Sequence, residues 1–153
     1  MRYTGDAFIS PADPMKILAA VDGSTHSLTM LGKLSDRLDW FRDPPQLVLV
    51  YVHPPLPYKR AVAWAGKDAV QQYYDEESEA ALTPARELLA QRGVAHAVEK
   101  HVGDPAIEIA RLAAGYDLVA MGTHGATGLT SMVMGSVATK VIATSPIPVL
   151  LLR

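Results

Sequence analysis

Five short apolar segments, separated by stretches with helical spacing, constrain the fold of this chain more than any other feature. The segments are residues 16–21, 46–52, 94–102, 117–121 and 149–152. Strands that are apolar on both faces suit a parallel sheet covered by helices. The alternation of strands with helical stretches therefore predicts an α/β fold.

Two helices are predicted in the first half of the chain. The leucines that define the first are Leu28, Leu31, Leu34 and Leu38. Ser24 or Thr25 supplies its N-cap. A long helix is predicted over 67–92, with Gly93 as its end. Pro84 is expected to kink or divide this helix.

Two shorter helices are predicted in the second half. Asp104 suits an N-cap and Pro105 the first helical position. The apolar residues expected to define that helix are Ile107, Ala110 and Ala113. A last helix is predicted over 136–144, before the proline at position 146. The proline-rich stretch 54–66 is predicted to be an irregular surface loop.

Right-handed crossovers would make this arrangement a single-domain, doubly wound, five-stranded parallel sheet with helices on both faces. We expect the Rossmann-like strand order 3-2-1-4-5. Residues 15–153 are predicted to form the domain, and 1–14 to be a flexible N-terminal lead-in.

Composition and charge exclude several classes of function. A net charge of -2 without a long basic run argues against nucleic acid as a partner. The absence of cysteine excludes disulfides, thiol nucleophiles and thiolate metal sites. No window approaches about 18 consecutive apolar residues, and the first residues lack the pattern of a secretory signal. We therefore expect a cytoplasmic protein without a membrane span.

A glycine-rich loop directly follows the fourth apolar segment. Gly122 and Gly125 are three residues apart, and nine residues separate Gly125 from Gly135-Ser136. Glycines let a backbone approach a ligand closely. The N–H groups of Gly135, Ser136 and Val137 open the last helix and are expected to point at a phosphate.

The glycine spacing by itself is a weak indication, because Gly125 and Gly128 also suit turns and Gly135 also suits helix packing. The position of the glycine-rich loop in the predicted sheet strengthens this indication. The loop and Asp22 both follow strand ends that should face the ligand crevice of a doubly wound sheet. Asp22 suits a contact with a ribose hydroxyl or a metal ion, and it equally suits a turn or N-cap before the first helix.

The chain resembles the universal stress protein family over residues 16–153. The segments that match are AAVDGS at 19–24, VYV at 50–52, GDP at 103–105, DLVAMGTHG at 117–125, GSVATKVI at 135–142 and PVLLLR at 148–153. The glycine spacing is that of the ATP-binding branch of the family, and the branch without it does not bind ATP.

The resemblance implies a set of nucleotide-binding residues. Gly122 and Gly125 would contact ribose and phosphate, and Asp22 and the backbone of Val52 would flank the adenine nucleoside. Gly135, Ser136 and Val137 would hold the phosphate chain. The full predicted set is Ala20, Val21, Asp22, Val52, Met121, Gly122, His124, Gly125, Gly135, Ser136 and Val137. The resemblance also agrees with a homodimer paired through the edge strand 148–152, which begins at Pro148 and ends at Leu152.

The loop differs from that of many relatives in its charge. Those relatives have a basic residue where this chain has Ala126, and no lysine or arginine occurs from 125 to 137. Phosphates would depend on N–H groups, hydroxyls, a divalent ion such as Mg²⁺ or Mn²⁺, or a reach from Lys59, Arg60 or Lys140. AMP and cyclic AMP therefore remain alternatives to ATP.

Histidine offers no metal motif in this chain. The five histidines lack metal-ligand spacing and are expected to be surface or loop residues. His124 is the only titratable group inside the loop, where it suits either a phosphate contact or exposure to water.

Three functions are compatible with these observations. The first is a homodimeric adenine-nucleotide-binding module for stress response or signalling, with slow or no hydrolysis and unidentified protein effectors. The second is an ATP hydrolase or phosphotransferase that uses Asp22, a divalent metal ion and His124. The third is a nucleotide-free dimeric scaffold.

Overall fold

A computed structural model describes residues 14–57, 63–124 and 134–153. Its sheet contains five parallel strands in the order β3-β2-β1-β4-β5. The strands are β1 (Lys16–Ala20), β2 (Gln46–His53), β3 (His96–Val102), β4 (Leu118–Gly122) and β5 (Val149–Leu152). The predicted fold class and strand order are confirmed. The lead-in 1–14 lies almost wholly outside the described residues and stays a prediction.

Four helices of nine or more residues connect these strands in the described part of the chain, and residues 63–65, predicted as part of an irregular loop, are also helical. The four helices are α1 (Thr25–Ser35), α2 (Lys67–Gln91), α3 (Pro105–Ala113) and α4 (Ser136–Thr144). Leu38 does not belong to α1 as predicted, because α1 ends at Ser35 and Leu38 begins a short 3₁₀ turn, Leu38–Trp40. No helix in the described ranges is both long and apolar enough to cross a membrane.

The sheet buries a different core on each face. Ile17 and Ala19 of β1 pack with residues of α1 and α2, whereas Leu18 packs with residues of α3 and α4. Successive side chains of a strand point to opposite faces, so one short apolar strand contributes to both cores. All three β1 residues are fully buried.

Side chains near the strand ends cap two of the helices as predicted. Ser24 accepts a hydrogen bond from the N–H of Ser27 at 3.2 Å and begins α1. Asp104 accepts from the N–H of Ala106 at 2.9 Å, with Pro105 in the first turn of α3. Each cap satisfies an N–H group that the helix leaves without an intrahelical partner, and so fixes where the helix begins.

Two helix predictions need correction in detail. Pro84 does not divide α2, which continues from Lys67 to Gln91, and a kink at Pro84 stays a prediction. The fully buried residues Leu82, Ala85 and Leu89 hold the helix against the sheet on both sides of the proline. In α3 the buried face is formed by Ala106, Ile109 and Ala113, and the side chain of Ile107 is 64% exposed.

The order of the strands places a crevice between β1 and β4. The chain moves outward from β1 to β2 and β3, and then crosses to β4 on the other side of β1. Helices leave the two sides of such a switch point on opposite faces of the sheet, which opens a crevice at the carboxyl ends of the strands. Asp22 and the loop after Gly122 lie at these ends.

Candidate functional site

A cavity of about 350 Å³ lies at the carboxyl ends of β1, β2 and β4. Its lining comprises Ala20, Val21, Asp22, Ser27, Tyr51, Val52, Pro54, Pro105, Ile109, Met121, Gly122, His124, Gly135, Ser136, Val137 and Ala138. This volume is in the range of small-molecule sites, and most of the lining side chains are apolar. The cavity therefore suits a small organic molecule held by a few polar contacts.

The structure brings together the residues that the sequence placed in one site. Ten of the eleven predicted nucleotide-binding residues line this cavity, although they come from segments far apart in the chain. The eleventh, Gly125, lies outside the described residues, as does the rest of the loop through residue 133. Nucleotide binding by these residues remains a prediction.

Six lining residues were missed by the sequence analysis: Ser27, Tyr51, Pro54, Pro105, Ile109 and Ala138. Pro105 and Ile109 are four residues apart, so they share one face of α3. Tyr51 and Pro54 belong to the end of β2 and the segment that follows it. The rule that ligands lie beside strand ends would have found Tyr51 and Pro54, because it applies to β2 as well as to β1 and β4.

Asp22 has a structural role beside its position in the cavity wall. Its Oδ1 accepts hydrogen bonds from the N–H of Ser24 at 3.0 Å and from the Ser24 hydroxyl at 2.5 Å. Its own N–H points at the Ser27 hydroxyl, 3.4 Å away. An aspartate that bonds to the backbone two residues on forms an Asx turn. Asp22 thus fixes the turn between β1 and α1, while Ser24 is the N-cap.

The first turn of α4 supplies N–H groups to the cavity wall, with one correction to the prediction. The N–H of Gly135 donates to the carbonyl of Thr123 at 2.8 Å, so it is not directed at a ligand. Within the described residues, no side chain caps this helix. The N–H groups of Ser136, Val137 and Ala138 therefore remain for an anion at the helix N-terminus.

Gly122, the last residue of β4, lies close to the backbone of two neighbouring segments. A Cβ atom at this position would be 3.2 Å from the carbonyl oxygen of His124 and 3.6 Å from that of His26. These distances leave little room for a side chain. Glycine therefore leaves room for the chain to turn where the end of β4 lies next to the start of α1. His124, two residues further on, lines the cavity.

The His124 ring is held at one nitrogen and buried at the other. Its Nδ1 is 2.9 Å from the Thr123 hydroxyl, and its ring centroid is 5.6 Å from that of His26. Nε2 is buried and has no hydrogen-bond partner among the described residues. A buried nitrogen without a partner costs about 1–3 kcal/mol.

The described lining contains few charged groups. It includes no lysine or arginine, and Asp22 is its one carboxylate. Lys140 of α4 lies 3.9 Å from Asp104, the N-cap of α3. Burial raises the pKa of the Tyr51 phenol, and the charges of Glu77, Tyr73 and Asp22 raise it further, so Tyr51 stays neutral at physiological pH.

No group of three histidines and carboxylates that could hold a metal ion occurs in the part of the chain that the structure describes. Hard divalent cations bind oxygen ligands, and they commonly take several of them from phosphates and water. At this cavity Asp22 offers carboxylate oxygens. A divalent ion would therefore need most of its ligands from a bound nucleotide.

His53 corrects the expectation that all five histidines are surface or loop residues. Its side chain belongs to β2 and is only 8% exposed. Its ring packs edge-on against Tyr74 at 5.0 Å and Tyr73 at 5.5 Å, and Nδ1 donates to the Pro54 carbonyl at 2.5 Å. The Tyr74 hydroxyl accepts from the N–H of Leu56 at 2.9 Å. Together these contacts fix the segment after β2 against α2.

A second cavity, of about 500 Å³, lies between α1 and α2. It is a groove along the two helices, away from the strand ends, and Arg92 on its wall bonds to the carbonyl of Gly32 at 2.6 Å and to Asp36. These contacts tie the end of α2 to the end of α1. The groove is therefore explained by helix packing.

Comparison with known proteins connects the sequence and the fold to one family. The family model of the universal stress proteins matches residues 14–153. The universal stress protein MJ0531 of Methanocaldococcus jannaschii is 31% identical over 140 residues, which cover 90% of this chain and 81% of that protein. The solved structure of the hypothetical protein MJ0577 superposes with a TM-score of 0.72 at 25% identity, covering 90% of this chain and 94% of that one.

Three solved universal stress proteins with a similar fold contain adenine nucleotides. One is in complex with cyclic AMP (TM-score 0.65, 20% identity, 91% of this chain and 97% of that one). Another, from Archaeoglobus fulgidus, is in complex with dAMP (TM-score 0.59, 18% identity, 91% of this chain and 98% of that one). The third, from Arabidopsis thaliana, has AMP bound (TM-score 0.62, 16% identity, 91% of this chain and 91% of that one). From the family match over almost its whole length, the chain belongs to the universal stress protein family.

Proposed function

We propose that this chain is an adenine-nucleotide-binding module that acts as a homodimer, with slow or no hydrolysis of its ligand. The observation that carries the proposal is the cavity at the β1/β4 switch point, whose wall includes the first turn of α4. The adenine nucleotides bound by three family members of the same fold also support it.

The walls of the cavity match the two chemical parts of a nucleotide. Val21, Val52 and Met121 are buried apolar residues that suit the faces of a purine. The N–H groups of Ser136 and Val137 suit a phosphate, since the partial positive charge of a helix N-terminus favours an anion. Asp22 suits a ribose hydroxyl.

ATP is the ligand we favour on the glycine spacing, and AMP and cyclic AMP are the alternatives. The described walls contain no lysine or arginine to neutralise a triphosphate. ATP would then bring a divalent ion with it, whereas a monophosphate carries less charge. The affinities of ATP with and without Mg²⁺, of AMP and of cyclic AMP distinguish these ligands.

A variant of Gly135 tests the position of the site. Gly135→Val places a branched side chain on the cavity wall, and Gly115→Val makes the same change beyond the end of α3, away from the cavity. A ligand at a hundred times its dissociation constant stabilises the fold by about 2.7 kcal/mol. We expect the resulting melting shift in the wild type and in Gly115→Val, and its loss in Gly135→Val. An undiminished shift in Gly135→Val would show that the site lies elsewhere.

Hydrolysis is the alternative activity, with Asp22, a divalent metal ion and His124 as its machinery. Oδ1 of Asp22 already accepts two hydrogen bonds from Ser24, and this engagement favours a structural carboxylate over a general base. We expect little phosphate release from ATP. Fast phosphate release that His124→Ala abolishes would show that the protein is an enzyme and not only a binding module.

The homodimer is proposed through β5, which is at one edge of the sheet. All four of its residues are only partly buried, and Ile142 on the neighbouring α4 is 44% exposed. An open, apolar edge strand is prone to pair with another chain. A second copy of β5 would cover it, and light scattering that finds a monomer at micromolar concentration would contradict this pairing.

A further inference from the structure

The segment that follows β2 forms part of the rim of the cavity. It comprises residues 54–57, with the sequence Pro-Pro-Leu-Pro, and Pro54 lines the cavity while remaining exposed to solvent. Proline has no backbone N–H group. Leu56 therefore carries the one N–H group with which these four residues can bond to the rest of the protein.

Tyr74 of α2 accepts the hydrogen bond from that N–H group. The distance from the Leu56 nitrogen to the Tyr74 hydroxyl is 2.9 Å. Tyr74 is only 7% exposed and lies within a long helix, so its hydroxyl has a fixed position. The hydrogen bond therefore transmits the position of α2 to the rim segment.

His53 attaches the same segment at a second point. Its Nδ1 donates to the Pro54 carbonyl at 2.5 Å, and its ring packs edge-on against that of Tyr74 at 5.0 Å. The His53 carbonyl accepts from the N–H of Gly103 at 2.9 Å, at the end of β3. Tyr74 thus supports the rim twice, directly at Leu56 and through the ring of His53 at Pro54.

The position of this rim indicates which half of a nucleotide it would contact. Pro54 follows the end of β2, whereas β4 leads to the helix N-terminus that we propose for the phosphate. β1 separates β2 from β4, so the ends of these two strands are about 10 Å apart at a strand spacing of about 4.8 Å. Val52, two residues before Pro54, is one of the apolar residues proposed for the purine. The rim therefore belongs to the nucleoside half of the cavity.

We propose, on the basis of the proposed nucleotide binding, that Tyr74 is a positioning residue for the nucleoside, because its hydroxyl holds the Pro54 rim where the ligand needs it. Tyr74 itself is not among the described residues that line the cavity. A site whose wall is correctly placed only part of the time loses apparent affinity in proportion. Tyr74 thus contributes to affinity by preorganising the wall.

Tyr74→Phe removes only the hydroxyl and keeps the ring, and Tyr116→Phe is the matched control. The Tyr116 hydroxyl donates to Glu99 at 2.6 Å, and neither residue is part of the described cavity wall. Each variant loses one hydrogen bond of a tyrosine hydroxyl, so each should have a lower Tm without ligand. The fall should be at least as large in Tyr116→Phe, because its partner is a carboxylate.

Calorimetric dissociation constants of adenosine and AMP separate positioning from stability. We expect Tyr74→Phe to raise both constants by the same factor, roughly two- to tenfold, since an ordinary hydrogen bond corresponds to a change of this size. The factor is the same because both ligands contain the nucleoside. Tyr116→Phe should leave both constants unchanged in spite of its lower Tm.

A second variant tests whether Tyr74 acts through the rim. Pro54→Ala removes the proline ring from the cavity wall. In this background Tyr74→Phe should change the dissociation constant of AMP by a smaller factor, because the effects of two residues that act through one contact are not additive. An undiminished factor would contradict action through Pro54.

Three further results would overturn the inference. If Tyr74→Phe binds adenosine and AMP as tightly as the wild type does, Tyr74 only stabilises the fold, and nucleotide binding stands. If the variant weakens AMP but not adenosine, Tyr74 acts on the phosphate half and not on the nucleoside. If neither ligand binds to the wild type, the proposed function fails together with this inference. Melting temperatures without ligand confirm that each variant folds.

Discussion

Gly23 is the position where a single added methyl group should be felt most strongly near the site. Its φ is +78°, a conformation that residues with a side chain rarely adopt. A Cβ atom there would lie 3.0 Å from Cα and 3.2 Å from Cβ of Ala81 in α2. The turn beside Asp22 thus depends on a close approach between two backbones, and Gly23→Ala should destabilise the fold.

The expected loss has two parts. The left-handed conformation costs an alanine about 1–2 kcal/mol, of which the stiffer unfolded chain returns about 0.4–1 kcal/mol. Overpacking against the backbone of Ala81 adds about 1–3 kcal/mol, because α2 is held by buried residues on both sides. The sum is about 1–4.6 kcal/mol, or a fall in Tm of about 2–18 °C for a domain of this size.

Gly93→Ala is the control that separates the two parts. Gly93 also has a positive φ, +66°, but nothing lies within 4 Å of the position of its added Cβ. It should lose only the conformational part, about 1 kcal/mol. Urea or thermal unfolding of both variants measures the difference. Equal destabilisation of Gly23→Ala and Gly93→Ala would refute the close packing between this turn and α2.

Two further variants test other parts of the molecule. The N–H of Val119 donates to the Pro148 carbonyl, so in the parallel ladder the N–H of Leu150 points toward β4 and that of Leu151 toward the open edge. Leu151→Pro therefore removes an N–H group that a second copy of β5 would use. Dilution series by light scattering should show a weaker dimer with unchanged circular dichroism, and an equally stable dimer would contradict pairing through β5. Glu79→Gln should change how the Tm depends on pH. Hydrogen bonds from Lys100, the larger cause, and from Arg86 lower the pKa of Glu79 to about 2. This carboxylate stabilises the fold above its ordinary pKa of 4.5 and loses that effect as the pH falls toward 2. The Tm difference between the wild type and Glu79→Gln should therefore shrink from pH 6 to pH 2.5, with Glu87→Gln, at an exposed position of the same helix, as the control variant. A difference that stays constant would show that the hydrogen bonds of Glu79 contribute nothing to stability.

The sheet was predictable because its strands are short, apolar and separated by clear turn signals. The residues 46–52 were predicted as a strand, and β2 is Gln46–His53. The caps at Ser24 and Asp104 followed from local side-chain chemistry, which depends on only three or four neighbouring residues. The strand order was predicted as that of a Rossmann-like, doubly wound sheet, and the structure confirms it.

Other features depend on contacts that sequence spacing does not contain. The N–H of Gly135 bonds to Thr123, a residue at the other end of the loop. His53 is buried because two tyrosines of α2 cover it, and Ile107 is exposed because α3 turns Ala106 and Ile109 inward. Each of these outcomes depends on how a helix is rotated against the sheet.

The same limit explains the incomplete prediction of the cavity. The predicted residues that line the cavity lie in the glycine motif and around Asp22 and Val52, segments that the resemblance to the universal stress proteins covers. Pro105 and Ile109 reach the cavity only because α3 packs on the sheet against β2 and beside α4. Their contribution becomes visible once the tertiary arrangement is known.

Calorimetric titration with adenosine, AMP, cyclic AMP and ATP is the most direct test of the central claim, that the cavity at the β1/β4 switch point binds an adenine nucleotide. We predict saturable binding of one nucleotide per chain, which Gly135→Val abolishes and Gly115→Val preserves. The claim would be contradicted if none of the four ligands binds at concentrations up to about 1 mM. Any binding free energy would then be weaker than about -4.1 kcal/mol.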